Sequence, residues 1–160
     1  MLAEEDIAEL AAAAALRNQP YELLRAVELI GRRTIRQALF TVMRFYDRTM
    51  EVERLYSSDA AAYPVGGRKQ KRDTAWGRHV LLEHRVFVGE GAQAIRASFD
   101  DHDRILGLGL LSVINVPVVF DGQCRGTVNF LCSRAALSPA DVSTTRLLSL
   151  LAAPALIRTG

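Results

Sequence analysis

The densest charge in the chain lies in RKQKR, where Arg68, Lys69, Lys71 and Arg72 fall within five positions. Four cations just ahead of a helix start at Asp73-Thr74 can grip a carboxylate or a phosphate, and the alternative is a loop whose charges face water. The three histidines offer less. His79 and His84 are five apart, which does not turn two ligands of a helix toward one metal as an i,i+4 pair does. His102 stands among Asp100, Asp101 and Asp103 with no serine or cysteine spaced to make a nucleophile of the group. No metal site and no catalytic triad is expected.

The two cysteines, Cys124 and Cys132, are too few for a disulfide scaffold and lack the CxxC spacing of a standard zinc module. They are an even number of positions apart on one expected strand, which puts both on one face about 27 Å apart if the strand is straight. A buried cysteine is ordinarily an inert small hydrophobe, so a redox role would need an exposed thiol activated by a cation such as Arg125.

At 160 residues the chain has the length of one domain with one core. A net charge of +2 with 24% charged residues is ordinary, and the basic run has no interleaved aromatics, so nucleic-acid binding is not expected. Glu4, Glu5, Asp6 and Glu9 replace the basic start of a signal peptide, and no run reaches the roughly 18 apolar residues of a membrane span. A cytoplasmic location without membrane attachment is the expectation.

These residues need elements to hold them. Residues 4–17 read as an Ala-rich helix, which Asn18-Gln19-Pro20 breaks before a second helix from Tyr21 to about Gln37. Its stripe is Leu23, Leu24, Val27, Ile30 and Ile35. ALFTVMRFYDRTMEVERLYSS reads as a hairpin with strands from Leu39 to Tyr46 and from Glu51 to Ser57. Residues 59–73 form a loop, TAWGRHVLLEHR a helix capped by Asp73 or Thr74, and Arg85 to Val88 a short strand, with short helices over AQAIRASF and DDHDRIL. Ser138-Pro139-Ala140-Asp141 opens a last helix whose apolar side is Val142, Leu147, Leu148, Leu150 and Leu151. The order predicts an α+β domain on an antiparallel sheet.

Between the short helices and the last helix lies SVINVPVVFDGQCRGTVNFLC, two apolar runs joined by Asp121-Gly122. A hairpin apolar on both sides must be covered on both faces. A two-residue turn at Asp121-Gly122 sets Phe120 opposite Gln123, Val116 opposite Thr127 and Ile114 opposite Asn129. One face then carries Val113, Asn115, Pro117, Val119, Cys124, Gly126, Val128 and Phe130 and suits helices. The other carries Ser112, Ile114, Val116, Val118, Thr127, Asn129 and Leu131, polar groups among apolar ones, which suits a pocket floor. A bulge would exchange these faces.

SVINVPVVFDGQCRGTVNFL followed by SPADVSTTRLLSLLA resembles the end of a GAF domain, and ALFTVMRFYDRTMEVERLYSS resembles its first hairpin. The resemblance covers about residues 20 to 157, with residues 1–19 a helical extension. It implies a GAF-like α+β fold: a central antiparallel sheet of about six strands, N- and C-terminal helices on one face, and a pocket roofed by loops and short helices on the other. It also implies regulation by a bound small molecule and dimerisation through the terminal helices. The chain departs from the cyclic-nucleotide-binding members, whose Asn-Lys…Phe…Asp-Glu signature is only echoed by Phe99-Asp100-Asp101. The bilin-binding members' Cys or Asp-Ile-Pro is missing, as is the cysteine placement of the free methionine sulfoxide reductases.

The reading is a stand-alone, small-molecule-binding regulatory protein, cytoplasmic and homodimeric, with no assigned cofactor. An anionic or amphipathic ligand would sit between Ser112, Thr127 and Asn129 on the sheet and Tyr63, Lys69, Trp76, Phe99 and His102 around the roof. The alternatives are a GAF-type reductase acting through Cys124 or Cys132 and a dimeric interaction module whose pocket is filled by its own side chains.

Overall fold

In the computed structural model, which describes residues 1–157, α1 (Glu4–Ala15) and α2 (Tyr21–Thr34) begin the chain. Glu4, Glu5 and Asp6 place negative charge in the first turn of α1, where a helix carries partial positive charge. The Asp6 carboxylate accepts from the Ala3 amide at 2.8 Å and from Arg33 of α2 at 2.9 Å, tying the two helices together. The expected stripe of α2, from Leu23 through Ile35, is buried, and α1 adds Leu10 and Ala13 to the same core.

Six strands follow: β1 (Leu39–Tyr46), β2 (Glu51–Ser57), β3 (Arg68–Gln70), β4 (Phe87–Glu90), β5 (Ser112–Phe120) and β6 (Gln123–Cys132). They form one antiparallel sheet in the order β3-β2-β1-β6-β5-β4. The first hairpin has the expected bounds, whereas the expected loop contributes β3 as an edge strand, pairing Lys69 with Val52. After it, Thr74 Oγ1 accepts the Gly77 amide at 2.9 Å and starts a π-helical segment, Gly77–Leu82. A Cβ on Gly77 would collide with the Lys71 carbonyl oxygen, so only glycine lets the segment cross the end of β3 this closely. The chain continues through α3 (Ala92–Ser98), α4 (His102–Gly107) and α5 (Pro139–Leu151), then a 3₁₀ turn, Ala153–Ala155. Ser138 and Asp141 cap α5 reciprocally, at 3.1 and 2.9 Å.

The sheet is covered on both sides. On one lie α1, α2 and α5, packed through Phe40, Val42, Ile114, Val116, Val128 and Phe130. On the other lie the π-helical segment, α3 and α4, packed on Leu39, Val113, Leu131 and Val52.

Both hairpins carry a β-bulge, and these change the expected faces. In the second, Phe120 opposes Gln123 as expected, but the register shifts at Arg125, so that Val116 opposes Val128 and Asn115 opposes Asn129. One extra residue reverses the alternation of everything beyond it. Ser112, Ile114, Val116 and Val118 therefore lie on the helix side, and Val113, Asn115 and Pro117 face the roof. Cys124, expected among the helix-side residues, packs instead on the roof side near Trp76 and Val80, while Cys132 lies in the helix-side core. The two cysteines are on opposite faces. In the first hairpin the shift falls between Val42 and Met43, so Arg54 and Tyr56, two apart, point to opposite sides.

The last helix also departs from expectation. Of its apolar residues Leu148 is fully buried, whereas Leu147, Leu150 and Leu151 are 45, 61 and 37% exposed. The contact face is completed by Thr145 and Ser149. Their hydroxyls donate to the carbonyls of Val142 at 2.7 Å and Thr145 at 2.6 Å, which satisfies them in place and lets small side chains bring the helix close. Among the described residues, no helix is long and apolar enough to cross a membrane.

Candidate functional site

Between the sheet and its roof lies a cavity of about 70 Å³. Its floor crosses five strands: Lys69 on β3, Arg54 on β2, Leu39, Thr41 and Met43 on β1, Asn129 and Leu131 on β6, and Val113 and Asn115 on β5. Its roof is Tyr63, Lys71, Trp76, Phe99, Asp101 and Ile105.

A buried polar chain runs across this floor. The Trp76 indole donates to Asn115 Oδ1 at 2.9 Å, Asn115 Nδ2 donates to Asn129 Oδ1 at 2.7 Å, and Asn129 Nδ2 donates to Thr41 Oγ1 at 3.1 Å. An indole N–H can only donate, so it fixes the orientation of both amides and the direction of the chain. The chain ends on the Thr41 hydroxyl, which accepts from Asn129 and still has a proton to give. All four residues are at most 6% exposed, so leaving any of these groups unpaired would carry a full desolvation cost.

At the β2–β3 end the lining is charged. Arg54 stacks on the Tyr63 ring, 5.0 Å from its centroid, and donates from Nη1 to the Pro64 carbonyl at 3.2 Å, while its Nε is buried without a partner. Desolvation lowers its pKa, against the pull of Tyr63 and Asp101. Tyr63 donates its hydroxyl to Asp101 Oδ2 at 2.9 Å, and Lys69 Nζ stands 3.4 Å from Asp101 Oδ1. Burial pushes the Asp101 carboxyl up, but Lys69 and the Tyr63 hydroxyl outweigh it and hold the group below the ordinary value. Lys71 has its ammonium 4.8 Å over the Trp76 ring, and desolvation, reinforced by Lys69, lowers its pKa. The cavity thus sets three cations against one carboxylate that is already engaged.

Of the residues singled out in the sequence, Tyr63, Lys69, Trp76, Phe99 and Asn129 come together around this cavity. The other three lie outside its lining. Ser112 is fully buried on the helix side, moved there by the bulge at Arg125. Thr127 is buried on the roof face with Oγ1 unpartnered, two pairs from Asn129 along β6, opposite Pro117. His102 opens α4 with Nδ1 3.1 Å from Asp103 Oδ1, without hydrogen-bond geometry. Sequence reasoning missed Thr41, Arg54 and Asp101 and put Asn115 on the wrong face. The missed signal for Asn115 was a second asparagine on a hairpin otherwise apolar, since one buried amide needs another polar group beside it.

Neither cysteine lines the cavity. Burial pushes the Cys124 thiol up to about 11 and raises that of Cys132 too. Among the described residues no group of His, Cys, Asp and Glu could hold a metal ion.

An antiparallel six-stranded sheet with terminal helices on one side and a roofed cavity on the other is the GAF fold, and solved structures match it along nearly the whole chain. The GAF domain of a phosphoenolpyruvate-protein phosphotransferase from Coxiella burnetii is 14% identical, with a TM-score of 0.73 over 93% of this chain and 89% of that one. The phycoerythrobilin-bound GAF domain of a cyanobacterial phytochrome is 10% identical, with a TM-score of 0.70 over 95% and 93%. The GAF domain of a two-component sensor histidine kinase from Bacillus halodurans is 10% identical, with a TM-score of 0.68 over 85% and 95%. No family model and no curated protein matches the sequence.

Proposed function

We propose that this protein is a small-molecule sensor whose ligand sits in the cavity under Trp76. The observation that carries the reading is the contrast across one sheet: its helix side is mainly apolar and packed by α1, α2 and α5, while its roof side sets the buried Thr41, Asn115 and Asn129 around an unfilled space. Oriented polar groups in an apolar wall are how a pocket fixes the pose of a ligand. A domain that had only to fold would gain more from apolar residues there. Two of these solved GAF domains come from a sensor histidine kinase and a chromophore-bound phytochrome, which agrees with a sensory role, and a third comes from a phosphotransferase. The reductase reading is disfavoured by two thiols whose burial keeps them protonated.

Trp76 is the only tryptophan in the chain, so its emission reports on the cavity directly. A metabolite screen by tryptophan fluorescence and thermal shift should find compounds that change both. A screen in which no compound changes either would overturn the sensor reading in favour of a self-filled interaction module.

A second observation favours a homodimer through the terminal helices. Ile7 of α1 and Leu147 and Leu151 of α5 are 59, 45 and 37% exposed and line one apolar groove with Leu2, Leu10 and Leu23. An exposed apolar groove between two terminal helices suits the same face of a second copy as its occupant. Sedimentation should give a dimer that Leu147→Glu dissociates; a monomeric wild-type protein at tens of micromolar would remove this reading.

A further inference from the structure

The sensor reading leaves the ligand open, and the lining of the cavity narrows it. Resting on that reading, we infer that the site takes a short-chain carboxylate, its charged head at Arg54 and Lys71 and its body over the middle strands.

Three observations converge. The first is size: a space of about 70 Å³ between the sheet and its roof suits a small ligand. The second is hydrogen-bond polarity. The Trp76 indole fixes the relay so that Thr41 ends it with a free O–H, and Asn115 uses one of its two amide protons on Asn129, leaving the other. Arg54 Nε is a further buried donor without an acceptor. The one carboxylate in the lining, Asp101, is occupied by Tyr63 and Lys69. Asn115, Asn129 and Asp101 keep spare lone pairs, but three cations and these unused donors outweigh them, which suits an accepting, negatively charged occupant.

The third is the gradient of character across the sheet. Lys69, Arg54 and Lys71 cluster at the β2–β3 end, whereas Leu39, Val113, Leu131 and Ile105 line the far end. Inorganic phosphate would satisfy the first end and leave the second bare; a carboxylate with a short carbon body satisfies both. Lys71 carries the sharpest demand. Its ammonium is partly screened from water over Trp76, with no carboxylate within ion-pair distance among the described residues. A half-buried cation crowded by Lys69 and Arg54 gains when an anion arrives between them.

The test uses butyrate, 2-oxobutyrate, butyramide and inorganic phosphate, read by Trp76 emission and by Tm. Butyrate and 2-oxobutyrate are expected to shift both, and butyramide, of the same size but uncharged, to bind at least tenfold more weakly. Lys71→Met should weaken carboxylate binding at least tenfold while its ligand-free Tm equals or exceeds that of the wild type. That pairing separates a binding lysine from a structural one, whose loss would lower the ligand-free Tm. Butyramide binding as tightly as butyrate, unchanged carboxylate binding by Lys71→Met, or a lower ligand-free Tm in that variant overturns the inference. A response to phosphate alone identifies an inorganic anion site and also overturns it. If none of the four compounds responds, the carboxylate inference falls, and the sensor reading falls with it only if the wider metabolite screen fails as well.

Discussion

The two faces of the sheet are built from the same strands to opposite rules. On β6, Val128 and Phe130 enter the helix-side core while Thr127 and Asn129, alternating with them, face the roof. On β5, Ile114 and Val116 point to the helices while Asn115 between them reaches for Trp76. The helix side is held mainly by area and fit, and the roof side adds to its apolar clusters a chain of directional bonds beside a space. The lesson is that this sheet separates stability from recognition by face, not by region of the chain.

Substitutions can break or sharpen this contrast. The largest effect is expected on the helix side, where Phe130→Ala should cost about 3–5 kcal/mol in chemical denaturation, since the ring is fully buried against Phe40 at 5.3 Å between centroids. On the roof side Asn115→Leu keeps the volume but orphans the Trp76 indole and the Asn129 carbonyl, and should cost about 1–3 kcal/mol. Equal losses at the two positions would mean that the roof side is an ordinary core.

A smaller effect is expected at Asp101. Its pKa is lowered in the folded protein, so its ionised form contributes stability above the ordinary carboxyl range, and that contribution fades as pH falls from about 4 through the lowered folded value. The Tm gap between wild type and Asp101→Asn, measurable at pH 7, should narrow as the pH is taken below about 4. A gap that persists there would place the role of Asp101 outside its charge.

The smallest effects are on reactivity. With a chromogenic thiol reagent at pH 8, Cys124 on the roof side should react slowly, at roughly a thousandth thiolate for a pKa of about 11, and Cys132 on the helix side only on unfolding. Rapid modification of either thiol would reopen the reductase reading.

Much of this was legible in the sequence because local chemistry agreed with the final structure. The first hairpin, the Ser138 cap and the α2 stripe follow from turn residues, capping geometry and helical period, none of which needs the rest of the chain. The doubly apolar hairpin announced two covered faces. The bulges did not show, because an inserted residue leaves the composition of a strand unchanged and is decided by what packs on it. At Gly126, beside the second bulge, a Cβ would strike the Met43 carbonyl oxygen and crowd Leu156, a contact between segments far apart in sequence. For the same reason Arg54, turned roofward by the first bulge, was invisible as a site residue, whereas Trp76 and Lys69 were visible as an aromatic and a cation in the segments that had to form the roof. On α5 a count of leucines pointed to the wrong stripe, because Thr145 and Ser149 can bury hydroxyls that bond back to their own helix.

The central claim is that the space beneath Trp76 belongs to a ligand. Val113→Phe tests it most directly, because this buried side chain lines the cavity and a ring there would occupy most of it. The measurement is Trp76 emission titrated with a compound that binds the wild type, alongside the Tm of both proteins. The account predicts a saturable change in the wild type and none in Val113→Phe, with the Tm of the variant kept. The same titration curve in both proteins would contradict it.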